Sequence, residues 1–258
     1  MSLNYYLQVA AMFFIPLLAV VLPIIIGLRY GIAHGKVAPG LTSAPIGNVV
    51  TAALGLVGFM LAFTFQMANN RYERRKELML EEVSNIRTTF LRASLLPEPY
   101  NSGARKNLRE YVSLRTGLSK NQANLQRTII RSQEILDTCW RYAEQLVARD
   151  KSSEVYALYI ESVNNIVSNF NQRITMGTEY RIPSAVYVAL FIITFLSMMA
   201  FGYHFGLYGK SGFKLTFLFA IIFAVVIFLI LILDYPQMGI IKVNPKPMLK
   251  LHEQLLER

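Results

Sequence analysis

The sequence predicts an all-α membrane protein with four transmembrane helices per chain and a cytoplasmic helical region inserted between helices 2 and 3. Three observations predict it. Charged residues make up only 16% of the 258 residues, against about 25% in an ordinary soluble domain. Four stretches, 7–28, 48–68, 184–207 and 215–233, carry no charged side chain apart from the imidazole of His204. Each approaches the roughly 20 residues that a helix needs to cross the hydrocarbon core. Between the second and third stretches lies a long charged segment whose apolar residues recur at helical rather than strand spacing. These observations divide the chain into helices 1 and 2 within 1–68, a cytoplasmic helical region over 69–183, helices 3 and 4 within 184–234, and a cytoplasmic tail over 235–258.

The first stretch reads as a retained helix rather than a signal peptide. Met1 to Ala10 hold no Lys or Arg, and no A-x-A-type cleavage site follows. Pro16 and Pro23 lie inside it, and neighbouring helices can satisfy the backbone groups they free. The segment 29–47, rich in Gly and Pro, reads as a loop, and Gly209–Gly212 as a tight turn.

The second helix has no breaker at Ala68. It continues through Arg71-Tyr72-Glu73-Arg74-Arg75-Lys76-Glu77, mostly good helix formers, to about Leu95, where Pro97 and Pro99 stop it. Two helices follow near 102–118 and 119–149, jointed at Gly117, with Trp140 expected in their core. A further helix over 152–180 carries Val155, Leu158, Tyr159, Val163, Ile166, Val167, Phe170 and Ile174 on one face, and Pro183 leads into the third membrane helix. No strand pattern and no repeat stands out.

Net charge is +10, and 22 of the 26 basic residues (26 less Arg29, Lys36, Lys210 and Lys214) lie in 69–183 or after 234. The positive-inside rule puts that side, and both termini, in the cytoplasm. A bacterial inner membrane fits this, as does the lone Cys139, which leaves no intrachain disulfide. The basic balance reads as topology and attraction to lipid headgroups. Nucleic acid is not an expected partner, because the positive residues are interleaved with Asp and Glu.

Advancing about 100 degrees per residue along the second helix places Asn48, Ala52, Gly55, Phe59, Phe63, Gln66, Asn70, Glu73, Glu77, Glu81, Ser84 and Thr88 on one face. Val57, Leu61, Ala68, Tyr72, Arg75, Met79 and Ile86 lie on the other. The first face is small and polar outside, aromatic in the middle, amide at the membrane exit and acidic beyond. An apolar constriction with polar flanks suits a pore that gates by dewetting. Four helices cannot enclose such a path, so several copies would have to supply it. The pattern alone leaves open that Phe59 and Phe63 pack inside a monomeric bundle while the glutamates are solvated.

Phe59-Met60-Leu61-Ala62-Phe63, with Arg71-Tyr72 eight residues after Phe63, resembles the pore-lining helix of bestrophins. There an F-x-L-G-F-like segment forms the neck and an Arg-Trp pair follows at the same spacing. Residues 54–76, 81–97 and 234–248 resemble more closely a bacterial bestrophin-like family of unknown function. The resemblance implies a homo-oligomeric ion channel, a pentamer, with Phe59 and Phe63 as neck residues and Gly55 as the outermost neck position. Gly55 departs from the bulkier residue frequent there, and Tyr72 replaces the Trp. Residues 234–258 offer only Asp234, Glu253 and Glu257 in place of the acidic run that binds calcium in eukaryotic bestrophins. These are too dispersed for a cage of six or more oxygens, which argues against calcium gating.

No P-loop, H-E-x-x-H, G-x-S-x-G or paired Cys/His spacing occurs, so neither an enzyme, a cofactor nor a metal site is expected. His34, His204 and His252 fall in three different regions, and Asp234 is expected to fix the Asp234-Tyr235-Pro236 turn. Selectivity follows what faces the path rather than the net charge. Gln66, Asn70, Glu73, Glu77 and Glu81 are therefore expected to favour monovalent cations over chloride, with Arg74 at the edge able to neutralise Glu77 or Glu81. The competing expectation is a non-conducting membrane scaffold or sensor that acts through its cytoplasmic helices.

Overall fold

The computed structural model describes residues 3–37, 44–118, 125–207, 213–235, 241 and 243–257. Among them the chain is wholly helical: α1 Leu3–Val37, α2 Ala44–Ala93, α3 Tyr100–Leu118, α4 Leu125–Arg149, α5 Glu154–Thr178, α6 Ser184–Leu207, α7 Phe213–Asp234 and α8 Lys246–Leu256. It divides into two compact units. One comprises 1–72 and 181–242, the other 73–180 and 243–258. α2 is a single helix of 50 residues and contributes to both.

Among the described residues the first unit holds four helices long and apolar enough to cross a membrane, within α1, α2, α6 and α7. Their shared core gathers Val20 and Ile24 from α1, Val57 and Leu61 from α2, Leu190 and Met198 from α6, and Ile227 and Ile230 from α7. α1 and α6 approach closely through glycine. A Cβ at Gly27 would collide with the carbonyl oxygen of Met199, and one at Gly202 with that of Ile24. Between membrane helices, where lipid tails are as apolar as leucine, small residues gain van der Waals contact by admitting the neighbouring backbone. This corrects the reading of 29–47 as loop. α1 runs on to Val37 and α2 begins at Ala44, because Gly31 and Gly35 also face α6 backbone instead of breaking the helix. The expected turn at Gly209–Gly212 lies outside the described residues.

The second unit packs α3, α4, α5 and α8 around the continuation of α2. Ile86 and Phe90 of α2 meet Leu108 and Tyr111 of α3, Ile135 of α4, and Ile166 and Phe170 of α5. α8 closes this core with Met248, Leu251 and Leu255, so the tail is a packed amphipathic helix. At the far end Cys139, Leu146, Tyr159 and Val163 form a second cluster. Burial pushes the Cys139 thiol up to about 11, which keeps it protonated and unreactive at neutral pH.

Trp140 departs from the expected core, and two residues of the apolar α5 face lie open. Trp140 is exposed at 37%, while Cys139 and Ala143 beside it are buried. On α5, Val155 and Leu158 are exposed. Leu158 lies about 100 degrees off Tyr159, and its carbonyl accepts a hydrogen bond from Arg92 Nη1 at 2.6 Å. Val155 sits in the first turn of α5, short of the covered part of the face.

Candidate functional site

α2 has one covered side and one open side. In its membrane-depth part Val57, Leu61, Thr64 and Ala68 are buried against the other spans. Thr64 donates its hydroxyl to its own helix, at Met60 O, 2.7 Å. On the other side Gly55 is exposed and no neighbour lies within 4 Å of a Cβ built there. Phe59 is 66% and Phe63 53% exposed, so neither packs inside the bundle of its own chain. Gln66 and Asn70, one turn apart and both exposed, satisfy each other: Gln66 Nε2 donates to Asn70 Oδ1 at 2.7 Å.

Along the second unit the acidic residues of α2 carry partners. Glu73 is half-buried and pairs with Lys76 at 3.0 Å. Glu77 and Glu81 are exposed and share the Arg74 guanidinium, at 3.3 and 3.4 Å. Arg74 also donates to Gln172 Oε1 on α5 at 3.0 Å, and Asn169 Nδ2 donates to Glu81 Oε2 at 3.2 Å. Farther along, Arg92 reaches Glu161 at 3.1 Å. Partners on α5 fall in number as those on α2 rise, so the two helices form an antiparallel polar seam.

Two buried charge clusters escaped the sequence reading. In the first unit the Asp234 carboxylate, 0% exposed, forms an ion pair with Arg71, whose Nε lies 2.9 Å away, and accepts hydrogen bonds from Tyr187 Oη at 3.1 Å and from the Ile182 amide at 3.4 Å. Its partners thus lie on α2, on α6 and in the segment leading into α6. It ties α7 to α2 and to the start of α6; the expected Asp234-Tyr235-Pro236 turn runs into residues outside the described ones. In the second unit Glu82, also 0% exposed, accepts from Tyr111 Oη at 2.6 Å and pairs with Arg115 at 3.2 Å and with Arg173. Desolvation lowers Arg173, whose side chain still keeps 25% of its surface in solvent, and leaves it cationic at neutral pH; burial raises Tyr111 to about 12 against the opposing Arg115 charge. The signal for Glu82 was legible: it stands between Leu78, Met79 and Ile86 on the buried face of α2, where a carboxylate needs partners. Asp234 gave no such signal, because a helix-ending Asp before Tyr-Pro has a local explanation.

Among the described residues no three His, Cys, Asp or Glu side chains gather as they would around a metal ion. The oxygens of Asp234 and Glu82 are engaged by cations and hydroxyls of the protein itself.

Four apolar spans among the described residues define a polytopic helical membrane protein. The chain belongs to the bestrophin-like family, whose Bestrophin-like domain matches residues 15–248. Its backbone is similar to crystal structures of a bacterial bestrophin homologue from Klebsiella pneumoniae. One, a point variant, is 19% identical, covering 96% of this chain and 97% of that one, with a TM-score of 0.71. Another structure of that homologue is 17% identical over 93% of this chain and 96% of that one, at 0.63. At such identity the likeness carries the fold. No curated protein matches the sequence.

Proposed function

We propose that the chain forms a homo-oligomeric ion channel, most simply a pentamer, in a bacterial inner membrane, with both termini and the helical unit in the cytoplasm. α2 lines the path. Phe59 and Phe63 form a dry neck, with Gly55 at its outer end. Gln66 and Asn70 lie at the exit, and Glu73, Glu77 and Glu81 beyond it. The single observation that carries this reading is the open side of α2. Lipid would accept the phenylalanines but not amides and carboxylates, and water would accept the carboxylates but not two neighbouring aromatic rings. A face with both is best served by copies of itself around a shared axis. Repeated by symmetry, each glutamate becomes a ring, and rings of carboxylate concentrate cations; monovalent cations are the expected permeant ions.

The test is flux through proteoliposomes under a KCl gradient. Wild type should conduct with a reversal potential nearer the cation than the chloride equilibrium value. Phe59→Ala/Phe63→Ala, checked for assembly, should conduct more because the neck widens and wets. A reversal potential at the chloride value would overturn the ion preference. Background flux in both proteins would overturn the channel and leave a scaffold or sensor. That second reading draws on Leu80, Leu91 and Leu95, apolar and exposed on or just past the extramembrane part of α2.

A further inference from the structure

The amount of negative charge on the open side of α2 is set partly by another helix. Arg74 lies about 60 degrees from the Phe59 line, at the edge of that face. Its guanidinium meets three acceptors: Glu77 Oε2 at 3.3 Å, Glu81 Oε1 at 3.4 Å and Gln172 Oε1 at 3.0 Å. The Gln172 contact is the shortest of the three and the neutral one, so it restrains the guanidinium without adding charge. Gln172 is itself oriented, because its Nε2 donates to Ser168 Oγ at 3.3 Å, which leaves Oε1 turned to Arg74. One turn away Asn169 holds the other oxygen of Glu81 at 3.2 Å. The clamp therefore has two walls, α2 and α5.

Restraint matters here because the ions are exposed: the side chains of Arg74, Glu77 and Glu81 retain 41%, 59% and 50% of their accessible surface. Pairs in that setting are weak, since ordering two long side chains offsets much of the attraction. An amide from α5 that is hydrogen-bonded at both ends, though itself exposed, offsets part of that ordering cost. The charge count shows the consequence. Glu73, Glu77 and Glu81 stand against Arg74 and Lys76, one net negative charge per chain. With Arg74 gone, the count is two.

Resting on the channel reading above, we propose that Arg74 is the specificity-determining residue of the cytoplasmic path and that Gln172 on α5 is its positioning residue, holding Arg74 between Glu77 and Glu81 and so fixing how much carboxylate passing ions meet. The acidic stripe is a tuned surface, and α5 does the tuning.

The experiment uses the full chain. Binding of Mn2+, read from loss of its free electron paramagnetic resonance signal, is measured in nanodiscs of neutral lipid, and reversal potentials are measured in liposomes. Arg74→Gln should bind Mn2+ about threefold more tightly, the scale of one exposed charge, and shift the reversal potential toward the cation value. Gln172→Met, which keeps the bulk and loses the acceptor, should move both in the same direction by less. In a Glu77→Gln/Glu81→Gln background the Gln172→Met effect should vanish, an outcome that a merely structural role for Gln172 would not produce. If Gln172→Met leaves Mn2+ binding unchanged, or alters it equally in that background, the proposal is overturned. The two readouts separate the readings. The Mn2+ pattern without flux keeps the charge clamp and removes the channel, whereas flux without the Mn2+ pattern keeps the channel and removes the clamp.

Discussion

Asp234→Asn removes one charge and almost no volume, and its cost can be worked from the geometry. The native carboxylate is 0% exposed and takes Arg71 Nε at 2.9 Å, Tyr187 Oη at 3.1 Å and the Ile182 amide at 3.4 Å. Tyr187 and Ile182 donate hydrogen bonds, and Arg71 supplies the counter-charge. An asparagine keeps one acceptor and turns an NH2 group toward at least one donor, while Arg71, 14% exposed, loses its counter-charge. Breaking a buried pair by removing one partner costs about 3–5 kcal/mol. At roughly 2–4 °C per kcal/mol for a chain of this size, the midpoint in detergent should fall by about 6–20 °C. Scan rate must be held fixed, because unfolding of such proteins is often irreversible. The diagnostic variant is Arg71→Met/Asp234→Leu. Replacing both ions with apolar groups of similar bulk removes the desolvation cost along with the attraction, so the double variant should melt above either Arg71→Met or Asp234→Asn. A double variant that melts at the sum of the single losses, or an Asp234→Asn midpoint within about 2 °C of wild type, would refute the reasoning.

Glu82→Ala should destabilise the extramembrane unit by about 3–5 kcal/mol. It should come nearer the lower figure, because Arg173, 25% exposed, can turn toward water while Arg115, 8% exposed, cannot. Chemical denaturation followed by circular dichroism measures the loss, and Glu82→Gln, which still accepts from Tyr111, should fall between. At the α1–α6 crossing, Gly202→Val must displace the backbone of Ile24. Overpacking of about 1–3 kcal/mol or more should leave little monodisperse protein on size exclusion, whereas Gly177→Ala, with nothing within 4 Å of its new Cβ, should elute as wild type.

The four spans and the long α2 were legible because each rests on a signal that tertiary structure rarely overrides: absence of charge over a membrane's width, or an uninterrupted run of helix formers ended by Pro97. α8 was legible in principle. Met248, Leu251 and Leu255 repeat at helical spacing and are all buried, but Pro245 and Pro247 nearby make the segment read as a tail. The glycines misled. Gly31 and Gly35 read as loop signals just past the end of a span, because composition does not distinguish a glycine that frees the backbone from one that admits a neighbour's. Polar groups with long-range partners were the least legible. Asp234 meets Arg71 across more than 160 residues of sequence, and nothing local to either residue names the other.

Periodicity says which side chains share a face, but it is silent on what that face meets. For α2 the two questions separate cleanly. The sequence places Phe59, Phe63, Gln66 and Glu77 together, and a soluble two-layer helix would bury such a stripe. Here the opposite stripe, Val57, Leu61 and Ala68, is the one buried, and it is uniformly small or aliphatic. Over its apolar stretch α2 spends an aliphatic side on its own chain and leaves open the side that carries Phe59, Phe63, Gln66 and Asn70, which fits the proposed role of that side outside the chain. The order of those groups, from Gly55 through the aromatic pair to the carboxylates held by Arg74, varies along the helix axis and not around it. A protein partner docking across α2 would have little use for such a gradient, whereas a particle travelling along α2 would meet every step of it.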